Sequence, residues 1–214
     1  MTHESTMFPR VDGDPAWPNG PWLHLPAFVG DVALRAIKAE LERAALDAAR
    51  RDLVIAEMGD TPRRMSNLSA REVERTCRET WQLYEDPGVL RAIESHAAVK
   101  PAPLVGDIEA VVVNYLHRSG DTHGAHVDDH EVAFVLVVEA PPPDGGGELL
   151  LQMPNGRSRS VTLSAGDAYI LHASAVRHSV APVTAGRRIA VVCAYDLAGR
   201  PQPHRTRSAA LLYG

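Results

Sequence analysis

Cysteine is close to absent from this 214-residue chain. Cys77 and Cys193 alone can build neither a disulfide framework nor a cysteine-rich zinc site, so a reducing compartment, the cytoplasm, is expected. Basic residues are outnumbered, 22 against 27 acidic, for a formal net charge of -5. No broad positive field is available for a phosphate backbone, and no nucleic-acid partner is expected. No apolar run approaches the ~18 residues that suggest a membrane span. The opening MTHESTMFPR lacks a basic stretch followed by an apolar one, so neither membrane nor targeting segment is expected. Heptad and collagen-like repeats are missing, which excludes a fibre. Aromatics make up only 5%, so the core has to be aliphatic. What remains, 45% apolar and 23% charged, is the composition of one folded domain spanning 1–214.

Sixteen glycines and sixteen prolines suit short strands joined by turns better than a helix bundle. Pro9, Pro15, Pro18, Pro21 and Pro26 make residues 1–27 an irregular lead-in. Asp31 reads as an N-cap, followed by Leu34, Ile37, Leu41, Ala45 and Ala48 at amphipathic helical spacing. Ser69 and Glu72 form a capping box that opens a helix through about Tyr84, and Asp86-Pro87 starts a shorter one carrying Leu90 and Ile93. Near Pro103 the pattern turns to β-branched runs at 108–117, 131–139, 148–152, 159–163, 168–172, 176–181 and 188–195. These are seven strand candidates, separated by turn signals with no helical pattern between them. The expected architecture is mostly β: a lead-in and helical layer over 1–104, an antiparallel jelly-roll core over 105–197, and a tail over 198–214.

Ten histidines are present, and His117, His123, His126 and His130 fall close together. In extended backbone, residues i and i+2 share a face, so His126-Val127-Asp128 aims an imidazole and a carboxylate at one point. Alone, such a triplet reads as an ordinary hydrogen-bonded loop histidine. His178, on a later strand, can supply a third ligand, and two histidines with one carboxylate describe the facial triad of non-haem Fe(II) oxygenases. Arg188, ten positions further on, is the natural bidentate anchor for the far carboxylate of a dicarboxylic co-substrate, with Arg187 as its competitor by adjacency. The four clustered imidazoles cannot all reach one ion with Asp128, so His123 and His130 are read as neighbours of the centre, as substrate-facing or as exposed. His172 reads as structural, Cys193 as core, Glu109 as a strand-edge residue, and Arg63 and Arg64 as solvated loop arginines.

Over about residues 105–197 the chain resembles the Fe(II)- and 2-oxoglutarate-dependent dioxygenases with a double-stranded β-helix core. The resemblance rests on His126-Val127-Asp128, His178 and the segment from His178 through Arg188. It implies iron on His126, Asp128 and His178, 2-oxoglutarate anchored by Arg188, and O₂ as co-substrate. Thr61-Pro-Arg-Arg-Met65 and Gly120-Asp-Thr-His-Gly-Ala-His-Val-Asp-Asp129 narrow the likeness to small enzymes that hydroxylate or chlorinate free L-amino acids. In that group the implied substrate residues are Arg63 or Arg64, His123 and Asp129 on the α-carboxylate and α-amine, and Glu109 on a cationic side chain. Halogenases of the group carry Gly or Ala where Asp128 stands. Lysine-acting members are more polar at the positions of Cys193 and Tyr195, which here would shape a pocket for an aromatic or imidazole side chain.

Asp128 has a consequence independent of family. Three protein ligands plus bidentate 2-oxoglutarate fill five of about six positions, leaving one for O₂ and none for a halide. The expectation is hydroxylation of a small free amino acid, possibly cationic, with release of succinate and CO₂. The rivals are hydroxylation of a protein or peptide residue, which needs an open groove, and a non-catalytic cupin-like module that binds a metal or small ligand.

Overall fold

The computed structural model describes residues 17–56, 59–104, 108–153, 155–199 and 208–214. The proline-rich stretch 1–16 and the predicted helix-to-strand boundary at 105–107 lie outside them. The rest of the lead-in is not wholly irregular, because β1 (Trp22–Leu25) pairs antiparallel along Ala168–Leu171. Helix α1 (Asp31–Ala44) begins with Gly30, not Asp31, in the capping position; Asp31 instead places an acid in the first turn, where it complements the helix dipole. It buries Ile37, Leu41 and Ala44 and ends before Ala48.

Two strands the sequence does not announce follow, β2 (Ala49–Ile55) and β3 (Thr61–Leu68), paired in register from Ala49↔Asn67 to Ile55↔Thr61. Arg63 and Arg64 therefore stand on a strand, not in a loop. The capping box is present, with the Ser69 backbone N–H donating to Glu72 Oε2 at 2.7 Å. The single helix expected through Tyr84 is two, α2 (Ala70–Thr76) and α3 (Arg78–Glu85), broken at Cys77. The physical reason is Glu40 on α1, whose carboxylate accepts from the backbone N–H groups of Glu79 and Thr80 and so caps a new first turn. Helix α4 (Pro87–Ala97) starts as read, with Asp86 accepting from Gly88 and Val89.

The strand block comprises β4 (Pro101–Pro103), β5 (Val111–Leu116), β6 (Thr122–His126), β7 (Val132–Glu139), β8 (Leu149–Gln152), β9 (Ser158–Val161), β10 (Ala168–His172), β11 (Arg177–Val180) and β12 (Arg188–Leu197). All seven predicted strands are present; β4 and β6 are additional. The predicted tail contains α5 (Ser208–Tyr213). Every pairing is antiparallel, in the order β1-β10-β7-β12-β5-β3-β6-β11-β8-β9, with β2 on β3 and β4 on β12.

This curled sheet is the expected jelly roll. Its outer face packs on the helices through a cluster including Ile37, Leu41, Val73, Ile93, Val113, Phe134, Val191, Cys193 and Tyr195. The inner face carries two further clusters, one around Val135, Leu149, Leu151 and Tyr169, the other around Met65, Val112, Leu116, Val180 and Tyr213. Strand β12 is buried on both faces, so it reads as an unbroken apolar run, yet it alternates at the site: Arg188, Ala190 and Val192 look inward, and Cys193 and Tyr195 look toward the helices. Tyr195 stacks on Tyr84 at 4.7 Å and donates its hydroxyl proton to Tyr84 O at 2.8 Å. Neither Cys193 nor Tyr195 can shape a substrate pocket, which corrects that expectation. No helix among the described residues is long and apolar enough to cross a membrane.

Candidate metal centre

Between the two inner clusters lies a cavity into which the predicted triad projects. His126 is the last residue of β6 and His178 sits opposite it on β11, a direct cross-strand pair. Asp128 follows in the loop to β7, where its backbone N–H donates to Ala173 O at 2.9 Å. His126 Nε2 stands 3.2 Å from Asp128 Oδ1 and His178 Nε2 3.6 Å from Asp128 Oδ2. One ligand atom from each of the three residues falls within 4.8 Å of the others, the only such histidine, cysteine or carboxylate group among the described residues.

The ring nitrogens facing away from the centre decide what it can hold. His126 Nδ1 is 2.7 Å from Gly124 O, and His178 Nδ1 is 3.0 Å from Val176 O. A carbonyl only accepts, so each Nδ1 carries the proton and each Nε2 keeps its lone pair. Burial pushes the His178 ring down to about 4, leaving it neutral at pH 7. Burial opposes ionisation of Asp128, but His178, His130 and His126 together hold its carboxyl far below the ordinary carboxylate range. Two imidazole nitrogens and a carboxylate thus converge on one point, an arrangement that a divalent cation satisfies.

Arg188 enters the same cavity from β12. Its Nη2 is buried with no hydrogen-bond partner among the described residues, and the Tyr169 phenol beside it favours its charged form. Burial lowers its pKa, but an arginine remains charged, so this orphaned donor awaits an anion. Arg187 points outward to Glu139 and Glu42, each at 2.6 Å, so of the two arginines Arg188 is the one that enters the cavity. Tyr169, in the apolar strand AYILH, was not foreseen as part of the site.

The remaining candidates divide. His123 stacks on His126 at 4.3 Å, and burial, followed by the charges of His126 and Arg63, holds it well below its ordinary pKa. His130 lines the cavity, with Nε2 3.4 Å from Asp128 Oδ2. Glu109 lines it too, so it is not a solvated edge residue. Arg63 is 0% exposed and paired across from His123; it adjoins Asp128 and Tyr213 electrostatically while its Nη1 donates to Thr61 O and Thr61 Oγ1. Burial brings Arg63 down to about 10. Arg64 is exposed beside Asp52, so of the two it is Arg63 that faces inward. Asp129 does not line the cavity, and His117 is exposed. His172 stacks on Trp17 at 4.5 Å and is structural, as expected. Tyr213, also unforeseen, closes one side: α5 is tied to β3 by Asn67 Nδ2 donating to Leu212 O at 2.9 Å, which sets the phenol beside Asn114 and Glu109.

Gly124 is where the fold admits this geometry. A Cβ there would lie 2.6 Å from Pro62 O and 2.7 Å from Thr61 Cβ, so only glycine lets β6 lie this close to β3. Gly124→Ala is expected to cost about 1–3 kcal/mol by overpacking and, by shifting the carbonyl that orients His126, to lower metal retention. Thermal unfolding and metal content after gel filtration measure the two effects; unchanged metal content in a destabilised variant would detach the carbonyl from the centre.

The curled antiparallel sheet with this triad has the architecture of the double-stranded β-helix oxygenases. A prolyl hydroxylase from Trichoplax adhaerens, solved with a hypoxia-inducible-factor peptide, superposes with TM-score 0.64 at 14% identity over 83% of this chain and 84% of that one. A prolyl-4-hydroxylase from Pseudomonas putida gives 0.61 at 19% identity over 84% and 94%. The epimerase SnoN of nogalamycin biosynthesis, solved with Fe³⁺ and α-ketoglutarate, gives 0.66 at 14% over 87% and 84%. In sequence, a PKHD-type hydroxylase of Maricaulis maris is 34% identical over 111 residues, 49% of each chain, and one of Parvibaculum lavamentivorans is 30% identical over 133 residues, 49% of this chain and 60% of that one. The chain spans about half the length of the curated relatives it matches. The sequence profile of the halogenase D family matches residues 19–158, and the chain belongs to that family.

Proposed function

We propose that this protein is an Fe(II)- and 2-oxoglutarate-dependent hydroxylase of a small free amino acid. One observation carries the reading: two lone-pair-bearing imidazoles and a carboxylate converge in the cavity that also receives the orphaned Nη2 of Arg188. His126, Asp128 and His178 would hold the iron, and Arg188, steadied by Tyr169, the far carboxylate of 2-oxoglutarate. With O₂, that pair supplies C–H oxidation coupled to release of succinate and CO₂. The cavity wall aims one C–H bond at the centre and keeps water away. Within a family named for halogenation, Asp128 supports hydroxylation, because it provides the ligand whose loss makes room for a halide. A metal-binding module without catalysis would have no use for Arg188.

A zwitterion brings both charges into a partly dry pocket, and neither tolerates burial unpaired. His123 lines the cavity, with the buried Arg63 paired across from it to meet a carboxylate, Asp129 lies beside the metal motif as the partner assigned to the ammonium, and Glu109 in the cavity wall adds an acidic group suited to a lysine, ornithine or arginine side chain. The peptide ligand in the Trichoplax neighbour makes protein hydroxylation the rival, and the closure by Tyr213 weighs against it because a polypeptide needs an open groove.

Anaerobic protein loaded with Fe(II) and 2-oxoglutarate, exposed to air with each proteinogenic amino acid and chloride, should yield a product heavier by one oxygen. A chlorinated product, or turnover confined to peptides, would overturn the reading. Glu109→Gln is expected to weaken a cationic substrate by about tenfold or more, the loss of one charge-assisted contact, and to spare 2-oxoglutarate affinity. Equal KM values for the substrate in both proteins would remove the cationic assignment.

A further inference from the structure

His130 belongs to none of the roles assigned so far, yet it is buried in the cavity wall with Nε2 3.4 Å from Asp128 Oδ2. Asp128 Oδ1 faces His126. The carboxylate therefore has imidazoles on both sides, and they differ in kind. His126 and His178 are fixed with lone pairs toward the centre by their Nδ1 contacts to Gly124 O and Val176 O. The group facing His130 Nε2 is a carboxylate oxygen, which only accepts; at 3.4 Å the two atoms are in contact without a formed hydrogen bond, and a small turn of the ring would make His130 the donor.

The backbone makes this relation rigid. Ala173, immediately after β10, accepts from the Asp128 N–H at 2.9 Å and donates its own N–H to Glu131 O at 2.8 Å, pinning the loop on both sides of His130. Glu131 is held in turn, its Oε2 accepting from the Leu197 N–H at 3.0 Å. Few backbone freedoms remain between Asp128 and His130, so the two side chains start from fixed positions on the same loop.

We propose that His130 is a positioning residue of the metal centre, donating from Nε2 to Asp128 and holding the carboxylate in the rotamer that presents one oxygen to the ion. The inference rests on the assignment of Asp128 as a ligand. A carboxylate free to turn presents both oxygens or swings away; one clamped at its second oxygen binds through the first and leaves a neighbouring position open for chemistry. Groups that orient a ligand in this way are worth roughly 10–100-fold in metal affinity.

The test compares His130→Phe, which keeps the ring volume and removes the donor, with His130→Gln, which restores an N–H donor on a chain of similar reach. Fe(II) or Co(II) affinity is titrated anaerobically, the Co(II) ligand-field spectrum recorded, and unfolding of the metal-free proteins followed by circular dichroism. His130→Phe is expected to lose about 10–100-fold in affinity and change the spectrum while its metal-free stability stays near wild type; His130→Gln should recover most of the affinity. Wild-type affinity in His130→Phe, or an equal loss in both variants, would overturn the proposal. If His130→Phe fails to fold, His130→Gln alone decides, since a tenfold or greater loss with a folded metal-free protein would show that the ring rather than the donor matters. Asp128→Ala is run beside them. Should it retain the metal, the ligand assignment fails; should it lose the metal while His130→Phe does not, only the role of His130 fails.

Discussion

Arg188→Ala is expected to raise the 2-oxoglutarate requirement by roughly 30-fold to several thousand-fold, the equivalent of about 2–5 kcal/mol for breaking one side of a buried charge-assisted pair. The size follows from burial. Arg188 is 3% exposed, and the co-substrate carboxylate arriving beside it exchanges water for a dry wall of Val135, Leu171, Ala190 and Val192, where an unanswered charge is costly. Arg187→Ala should change the requirement little, because its partners Glu139 and Glu42 lie on the outer surface. The measurement is the 2-oxoglutarate KM from O₂-dependent succinate formation, with direct binding to metal-loaded protein under anaerobic conditions. A larger effect at Arg187 would mean that β12 is displaced by one residue, which would turn every inward side chain of the strand outward. Tyr169→Phe is a smaller version of the same experiment, since it removes only the hydroxyl beside the guanidinium.

What the sequence discloses of this site depends on how each residue interrupts its surroundings. Arg188 is conspicuous because a charge opens an apolar run, and the parity of β12 then fixes its face. His126, Asp128 and His178 are legible from ligand chemistry, although β6 itself is not, because its positions are spent on His123, Gly124 and His126 and show no alternation. The same reason hides β3: Pro62, Arg63 and Arg64 read as a loop, and only the pairing of Arg63 with His123 shows which arginine turns inward. Tyr169 is masked by the opposite circumstance, a tyrosine in an apolar strand being indistinguishable from core. Tyr213 could not be reached from any motif, since its place depends on α5 docking against β3 through Asn67. The break at Cys77 depends on Glu40, a partner almost forty residues away that no local pattern reveals. Cys193 and Tyr195 show the limit of likeness: strand parity turns both toward the helices, whatever their positions do in similar chains.

Asp128→Ala is expected to abolish both metal retention and 2-oxoglutarate turnover while the fold persists. The fold should survive because the Asp128 backbone N–H still reaches Ala173 O, and because His178 is held neutral by burial and needs no counter-charge once the carboxylate is gone. The metal should not, since two imidazoles without an anionic oxygen leave the cation's charge unanswered in a buried site. Stability reports this separately from activity. A ligand at about 100 times its Kd stabilises the folded state by about 2.7 kcal/mol, which for a chain of this size raises Tm by roughly 5–10 °C. Wild type should show that shift on adding Fe(II) or Co(II) anaerobically, and Asp128→Ala should show none while melting near the metal-free wild type. His126→Ala and His178→Ala should behave alike, since each removes one converging lone pair. Only at Co(II) concentrations far above those that saturate wild type is Asp128→Ala expected to take up metal weakly, and there to show a chloride-dependent change in the Co(II) spectrum, because the variant vacates the position that the carboxylate fills. Undiminished hydroxylation, or an undiminished metal-induced rise in Tm, would remove Asp128 from the centre and leave His126 and His178 in need of another third ligand.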